Sequence, residues 1–164
     1  MKLKSSFFTV VALLCGFVSA QAQTDSADAS LRCMIQMTNY DGEGAYIIVS
    51  LLDSSGQYLE TLHIIGEDRD WYYEIENWWS YFGRKKRNID GITGPTLAGG
   101  ERSIIAFDVP EYAFRNQHKL RFETAVEDQP YYPSEIDVAL SDSLPAGKVE
   151  GMGYIRYARF MQTP

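Results

Sequence analysis

Residues 119–126 read Lys119-Leu120-Arg121-Phe122-Glu123-Thr124-Ala125-Val126. The period is two: Leu120, Phe122, Thr124 and Val126 fall on one face, and Lys119, Arg121, Glu123 and Ala125 on the other. That is the pattern of an antiparallel strand with one face on a core and one toward water. Downstream of Pro130 and Pro133, Ile136, Val138 and Leu140 repeat it. A last strand is expected at 154–161, with Gly151 and Gly153 ahead of it to allow a bulge. Upstream lie an apolar run at 103–108 and three more at 31–38, 45–52 and 57–65. Asp41-Gly42 between the first two of these three is a hairpin signal, and Asp53-Ser54-Ser55-Gly56 is a tight turn. The three N-terminal segments are therefore expected to pair as a meander. Seven short strands between turn residues predict an all-β, mainly antiparallel sandwich.

Residues 69–82 break the alternation. Trp71, Ile75, Trp78, Trp79 and Phe82 follow i, i+4, i+7, i+8, i+11 spacing, the apolar stripe of one short helix, and Gly83 is a stop signal. All three tryptophans lie on it. Left in water, such a stripe invites aggregation, so the helix is expected to plug one end of the β structure. Residues 84–100 show no apolar periodicity and read as a loop.

The chain opens with Lys2 and Lys4, an apolar run at 7–18, then the small residues Ser19, Ala20 and Ala22. That order is a secretory signal peptide. The run is shorter than the roughly 20 residues a membrane helix needs, so no transmembrane segment is expected in the mature chain. The expected organisation is a signal peptide at 1–22, a flexible lead-in at 23–30 and one domain at 31–164, located in the periplasm or secreted. Cys15 goes with the leader. Cys33, in a strand-like run, is expected to be a buried and inert thiol. The chain holds 22 acids against 15 Lys and Arg, and losing Lys2 and Lys4 takes the formal charge from −7 to −9. A nucleic-acid partner is excluded on that ground, because phosphate binding needs a basic face.

Catalytic constellations are sparse. His63 and His118 stand alone in their segments, without the spacing of a metal site, and no nucleophile elbow, phosphate loop or dinucleotide fingerprint occurs. Glu74 and Glu76 sit two apart, so on a helix their side chains diverge onto a solvated face. No metal site and no catalytic residue is assigned. Arg84-Lys85-Lys86-Arg87 runs against the acidic trend, as a solvated loop or as a docking point for phosphates or an acidic partner.

Next to it stands Asp90-Gly91-Ile92-Thr93-Gly94-Pro95-Thr96, an exposed turn by its glycines, proline and hydroxyls. It resembles the attachment motif of extracytosolic flavoproteins: Asp, two residues, Ser or Thr, Gly, Ala, Thr. In those proteins a flavin transferase moves FMN from FAD onto the last threonine. The resemblance implies Thr96 as acceptor, with Asp90, Thr93 and Gly94 as recognition positions. Pro95 departs from it, standing where the motif carries alanine; it lacks an N–H and stiffens Gly94.

The match is wider than this loop. Tyr58-Leu59-Glu60-Thr61-Leu62, Gly66, Trp78-Trp79, the Asp90–Thr96 stretch and Gly99-Gly100-Glu101 occur in one order. Together they resemble a family of predicted periplasmic proteins of unknown function with a KTL…G…WW…DAVTGAT…PGE pattern. That resemblance implies an immunoglobulin-like sandwich over residues 31–161 and a redox setting, with a flavin transferase and a membrane redox protein as partners. Two readings follow. In the favoured one the chain is a non-catalytic binding or assembly module whose contact surface is Trp78, Trp79 and Arg84 to Arg87. In the other it carries FMN covalently on Thr96 as an electron carrier or accessory, with Trp78, Trp79 or Tyr81 shielding the ring.

Overall fold

The computed structural model describes residues 28–83, 92–141 and 143–161. Nine strands run through them: β1 (Asp28–Met37), β2 (Tyr46–Leu52), β3 (Tyr58–Ile65), β4 (Thr93–Gly94), β5 (Arg102–Pro110), β6 (Lys119–Ala125), β7 (Tyr132–Ala139), β8 (Lys148–Glu150) and β9 (Ile155–Met161). They form two sheets, of order β5-β1-β9-β8 and β4-β3-β2-β6-β7. All pairings are antiparallel except β3 with β4. The expected all-β sandwich is thus the architecture. Two strands beyond the seven expected, β4 and β8, are two and three residues long and too short to carry a periodic signal. Strand β1 also reaches into the expected lead-in: Asp28, Ala29 and Ser30 pair with Pro110, Val109 and Asp108.

The expected N-terminal meander is half right. The Asp53–Gly56 turn joins β2 and β3, with Gly56 at φ +88° and the Asp53 carboxylate accepting from the Ser55 and Gln57 N–H groups at 2.8 and 2.9 Å. Strands β1 and β2 do not pair. β1 lies between β5 and β9, and β2 between β3 and β6, so residues 39–44 cross from one sheet to the other. Both strands already have hydrogen-bonded neighbours on both edges, and a local Asp-Gly preference cannot compete with two full ladders.

The aromatic segment is two pieces. Arg69–Glu74 is a 3-10 turn opened by Asp68, whose side chain accepts from the Asp70 N–H, and α1 (Glu76–Phe82) follows. Ile75, at φ −90° and ψ 67°, separates them and is fully buried. A further short helix, α2 (Glu111–Arg115), follows β5. The aromatic segment does not plug an end of the sandwich. It lies on the outer face of the five-stranded sheet, where Tyr72, Ile75, Trp78 and Phe82 pack with Tyr46, Ile48, Ile64 and Ala125. The opposite side chains of β2 (Ile47, Val49, Leu51) join Ile35, Phe107, Phe122 and Phe160 in the core between the sheets. Strand β2 is therefore buried on both faces. The same cover corrects the reading of 119–126: Glu123 and Ala125 do not face water but lie beneath the aromatic layer.

Candidate functional site

The segment after the undescribed stretch 84–91 is built along the edge of the five-stranded sheet. Asp90 and the Arg84–Arg87 run lie outside the described residues. Ile92 packs against the aromatic layer, and its carbonyl accepts from Ile64 N–H at 2.8 Å. Thr93 and Gly94 then pair with Ile64 and Ile65, and Gly94 O accepts from Gly66 N–H at 2.6 Å. Pro95 is exposed. Leu97 returns to the main core and bridges Ala45, with N–H to O distances of 2.7 and 3.2 Å. The Tyr40 hydroxyl donates to Leu97 O and accepts from Ala45 N–H, tying the bridge again.

Thr96 is half-buried between these anchors. A Cβ built on Gly44 would stand 2.4 Å from its Oγ1, so the threonine occupies the space that glycine leaves. At Gly94 a Cβ would meet nothing within 4 Å, so the backbone there faces open space. A cleft of about 270 Å³ runs beside the segment, lined by Ile92, Thr61 and Leu62 and rimmed by Asp28, Glu60 and Asp108.

The other residues of the wider pattern are ties around this edge. Trp78 Nε1 donates to Thr61 Oγ1 at 2.8 Å, and its ring stacks on Phe82 with centroids 4.6 Å apart. Gly66, at φ +120°, lies flat against the Tyr46 ring, where a Cβ would come within 2.0 Å, and its carbonyl accepts from Tyr72 OH at 2.8 Å. Gly99 passes the Tyr40 backbone too closely for any side chain, and Glu101 accepts from Ala98 N–H at 2.8 Å. Of the tryptophan pair, Trp78 is wholly enclosed and unavailable as a contact surface, whereas Trp79 is 36% exposed. Tyr81 stacks on Tyr58 and donates to Leu59 O.

Beneath the aromatic layer lies a group that sequence patterning assigned to water. The Glu123 carboxylate accepts from the phenols of Tyr58, at 2.5 Å, and Tyr131, and from the Trp78 backbone N–H. Burial raises its pKa above the ordinary carboxylate range, against the opposing pull of these donors and of Arg121. Both phenols are raised in turn, by burial first and then by the carboxylate. Arg121 is engaged by Asp137 through two bonds of 2.8 and 2.7 Å. A second carboxylate, Glu135 on β7, accepts from Thr124 Oγ1 (2.6 Å) and from the N–H groups of Gly153 (2.7 Å), Tyr154 (3.3 Å) and Ile155 (3.0 Å). Gly151 and Gly153, expected at a bulge, belong to this β8–β9 turn, and Gly151 leaves the space that the Glu135 carboxylate fills.

The histidines stay apart: His63 is on β3, His118 immediately precedes β6, and β2 lies between those two strands. His63, on β3, is half-buried and its pKa is lowered by burial; His118 packs edge-on to Tyr112 at 5.7 Å with Nδ1 unpartnered among the described residues. Among the described residues no three His, Cys, Asp or Glu side chains are grouped to hold a metal ion. Cys33 is buried, and burial pushes its thiol pKa up to about 12.

Fold and edge together define a two-sheet β-sandwich with one outer face roofed by aromatics and a short segment held at the roofed sheet's edge. Residues 28–157 match the family model described as "Predicted periplasmic protein (DUF2271)", and the chain belongs to that family, whose function is unknown. The family places it in the periplasm, and the match spans the whole edge segment. Neither a curated protein nor a solved structure matches the chain.

Proposed function

We propose that this periplasmic chain is a non-catalytic binding or assembly module in a redox setting, and that the 92–97 edge is what it presents. The observation that carries the reading is the double anchoring of that edge. Ile92 is held in the aromatic layer and Leu97 in the main core, while Pro95 between them stands in solvent. A segment fixed at both ends loses little conformational entropy when a partner engages it. The expected partners are a flavin transferase and a membrane redox protein, reached after removal of the leader at 1–22.

A sharper form of the reading makes Thr96 the attachment point for FMN. What favours it is the open space at Gly94, two residues from the acceptor hydroxyl, which lets another enzyme's active site approach the backbone. The residues fit the group after one adjustment: Thr96 Oγ1 lies against Gly44 and must turn about χ1 into another staggered rotamer. In the transfer, Thr96 Oγ bonds to the FMN phosphorus of FAD, the pyrophosphate P–O bond breaks, AMP leaves, and the hydroxyl proton passes to the transferase. Bound FMN would supply the electron chemistry.

The test is the intact mass of the chain made in its native host and with a co-expressed, demonstrably active flavin transferase, read with in-gel flavin fluorescence. An increment of one FMN less one water, mapped to Thr96 and lost in Thr96→Ala with the fold retained, makes the module a covalent carrier. An unmodified mass beside the active transferase removes the carrier form. The binding-module form then rests on substitutions at the edge. Pro95→Ala or Gly94→Asp that leaves the fold and every redox-partner association unchanged removes it too.

A further inference from the structure

The β8–β9 ladder reaches no further than Lys148 opposite Arg159, and the β1–β9 ladder ends at Arg32 opposite Met161. Among the described residues the four-stranded sheet narrows past those rows. A cavity of about 790 Å³ lies there, between the start of β1, the end of β9, α2 and the connection from β7 to β8. Its apolar wall is the end of the main core: Phe160 is buried in that core, and Leu31, Phe114 and Leu144 pack against it half-buried. Among the described residues Arg159 is the one charged residue on the wall. It is exposed, and its side chain makes no ion pair among them. The neighbouring acids are turned to other uses. Asp28 and Asp108 line the cleft beside β3 and Ile92, Glu111 pairs with Arg115 at 2.9 Å, and Glu150 stands opposite Tyr157, two residues back along β9. Asp142 lies outside the described residues. Two further cations flank Arg159 on the sheet: Lys148 opposite it, over the Tyr157 ring at 4.1 Å, and Arg32 on the diagonal.

We propose that this cavity binds one fatty carboxylate per chain, with the acyl chain along Leu31, Phe114, Leu144 and Phe160 and the carboxylate on the Arg159 guanidinium. The volume falls in the range of small-molecule pockets, roughly 300–1,000 Å³, and the lining has their usual character, apolar with a few polar groups that fix orientation. A guanidinium offers a planar fork of N–H donors that a carboxylate accepts through two parallel bonds. In a chain of formal charge −7, an unpaired cation on a wall where no described acid stands is where an anion is drawn. An uncharged apolar ligand would leave that cation unused, and a cationic one would meet like charge. The cavity shares no residue with the 92–97 edge, so the site holds whether or not the proposed function does.

The experiment is isothermal titration calorimetry at neutral pH on the full chain, produced with its own leader and delipidated. The probes are octanoate, decanoate and dodecanoate below their micelle concentrations, with decanol and decyltrimethylammonium as uncharged and cationic counterparts. The expected result is one site per chain whose affinity rises roughly tenfold for each two added carbons, as burial of CH₂ groups requires. Decanol should bind at least tenfold more weakly than decanoate, and decyltrimethylammonium should give no binding. Arg159→Gln should weaken decanoate at least tenfold and leave decanol unchanged, with Arg159→Lys between it and the wild type. Leu144→Asp, on the connection between β7 and β8, should weaken decanoate and decanol alike. If it disturbs the fold, Ala146→Trp at an exposed position of the same wall should do so by filling the space. Absence of dodecanoate binding overturns the proposal, as does affinity flat with chain length or Arg159→Gln with wild-type affinity for decanoate. A tenfold preference for decanoyl lysophosphatidylglycerol over decanoate would also overturn it, and would assign the cavity to a phospholipid.

Discussion

At the scale of single residues, the buried Glu123 carboxylate carries the most chemistry. Glu123 is ringed by donors, yet burial outweighs them and its pKa is raised. The native state therefore holds its proton to higher pH than the unfolded chain does. Its contribution to stability is fully present below the unfolded value near 4.5 and is lost as pH rises through the raised native value. Glu123→Gln removes that dependence. Urea unfolding across pH 4 to 8 should show the variant gaining on the wild type as pH rises; a difference flat with pH would mean the carboxyl titrates alike in both states. Thr61 shows a second residue-scale requirement. It supplies the acceptor for the enclosed Trp78 indole, and a buried N–H without one costs roughly 1–3 kcal/mol.

At the scale of elements, the stability of one sheet edge depends on a side chain from the other sheet. Glu135 leaves β7 and accepts the N–H groups of Gly153, Tyr154 and Ile155 at the β8–β9 turn. It does there what a ladder strand would do, satisfying donors that the turn leaves open. Glu135→Ala strands three N–H groups and the Thr124 hydroxyl, and the expected loss is on the order of 3 kcal/mol or more. Amide exchange should also quicken first at 153–155. Exchange that quickened uniformly, with the turn no faster than the core, would mean that the carboxylate supports the sandwich as a whole and not the turn.

At the scale of the whole molecule, two cores share one sheet. The aromatic layer rests on the same β2 that lines the main core, so the layer and the sandwich are expected to unfold together. Cys33 reports on that event. It sits on β1, between β5 and β9, with its thiol pKa pushed up to about 12 by burial, so the thiolate that reacts is almost absent in the native state near neutral pH. A thiol reagent at pH 8 should form an adduct mapped to Cys33 only at the rate of global unfolding. Labelling that ran far faster, while far-UV circular dichroism stayed native, would reveal local opening of the four-stranded sheet.

Strands of this chain were legible from their own side chains where period-two burial is written locally: β6 and β7 overlap the alternating stretches 119–126 and 136–140, and β9 falls where a last strand was expected at 154–161. The Asp53–Gly56 turn was legible for the same reason, since its bonds run between neighbours. Of the edge segment, Thr93, Gly94 and Thr96 could be picked out as a motif, while the packing of Thr96 on Gly44 could not, because the two residues are distant in sequence. Glu123 was misread for a related reason. Alternation states that a strand has two faces, and nothing local states that a second layer will cover the outer one. The Asp41-Gly42 hairpin failed because the choice between pairing β1 with β2 and sending each to a separate sheet belongs to the strands that flank them. The sequence by itself determined element type, turn chemistry and charge, all of which depend on residues within a few positions of one another. The tertiary structure alone decided which strands pair, where the aromatic segment docks and which charges end on which face, because those outcomes depend on burial that distant segments create together.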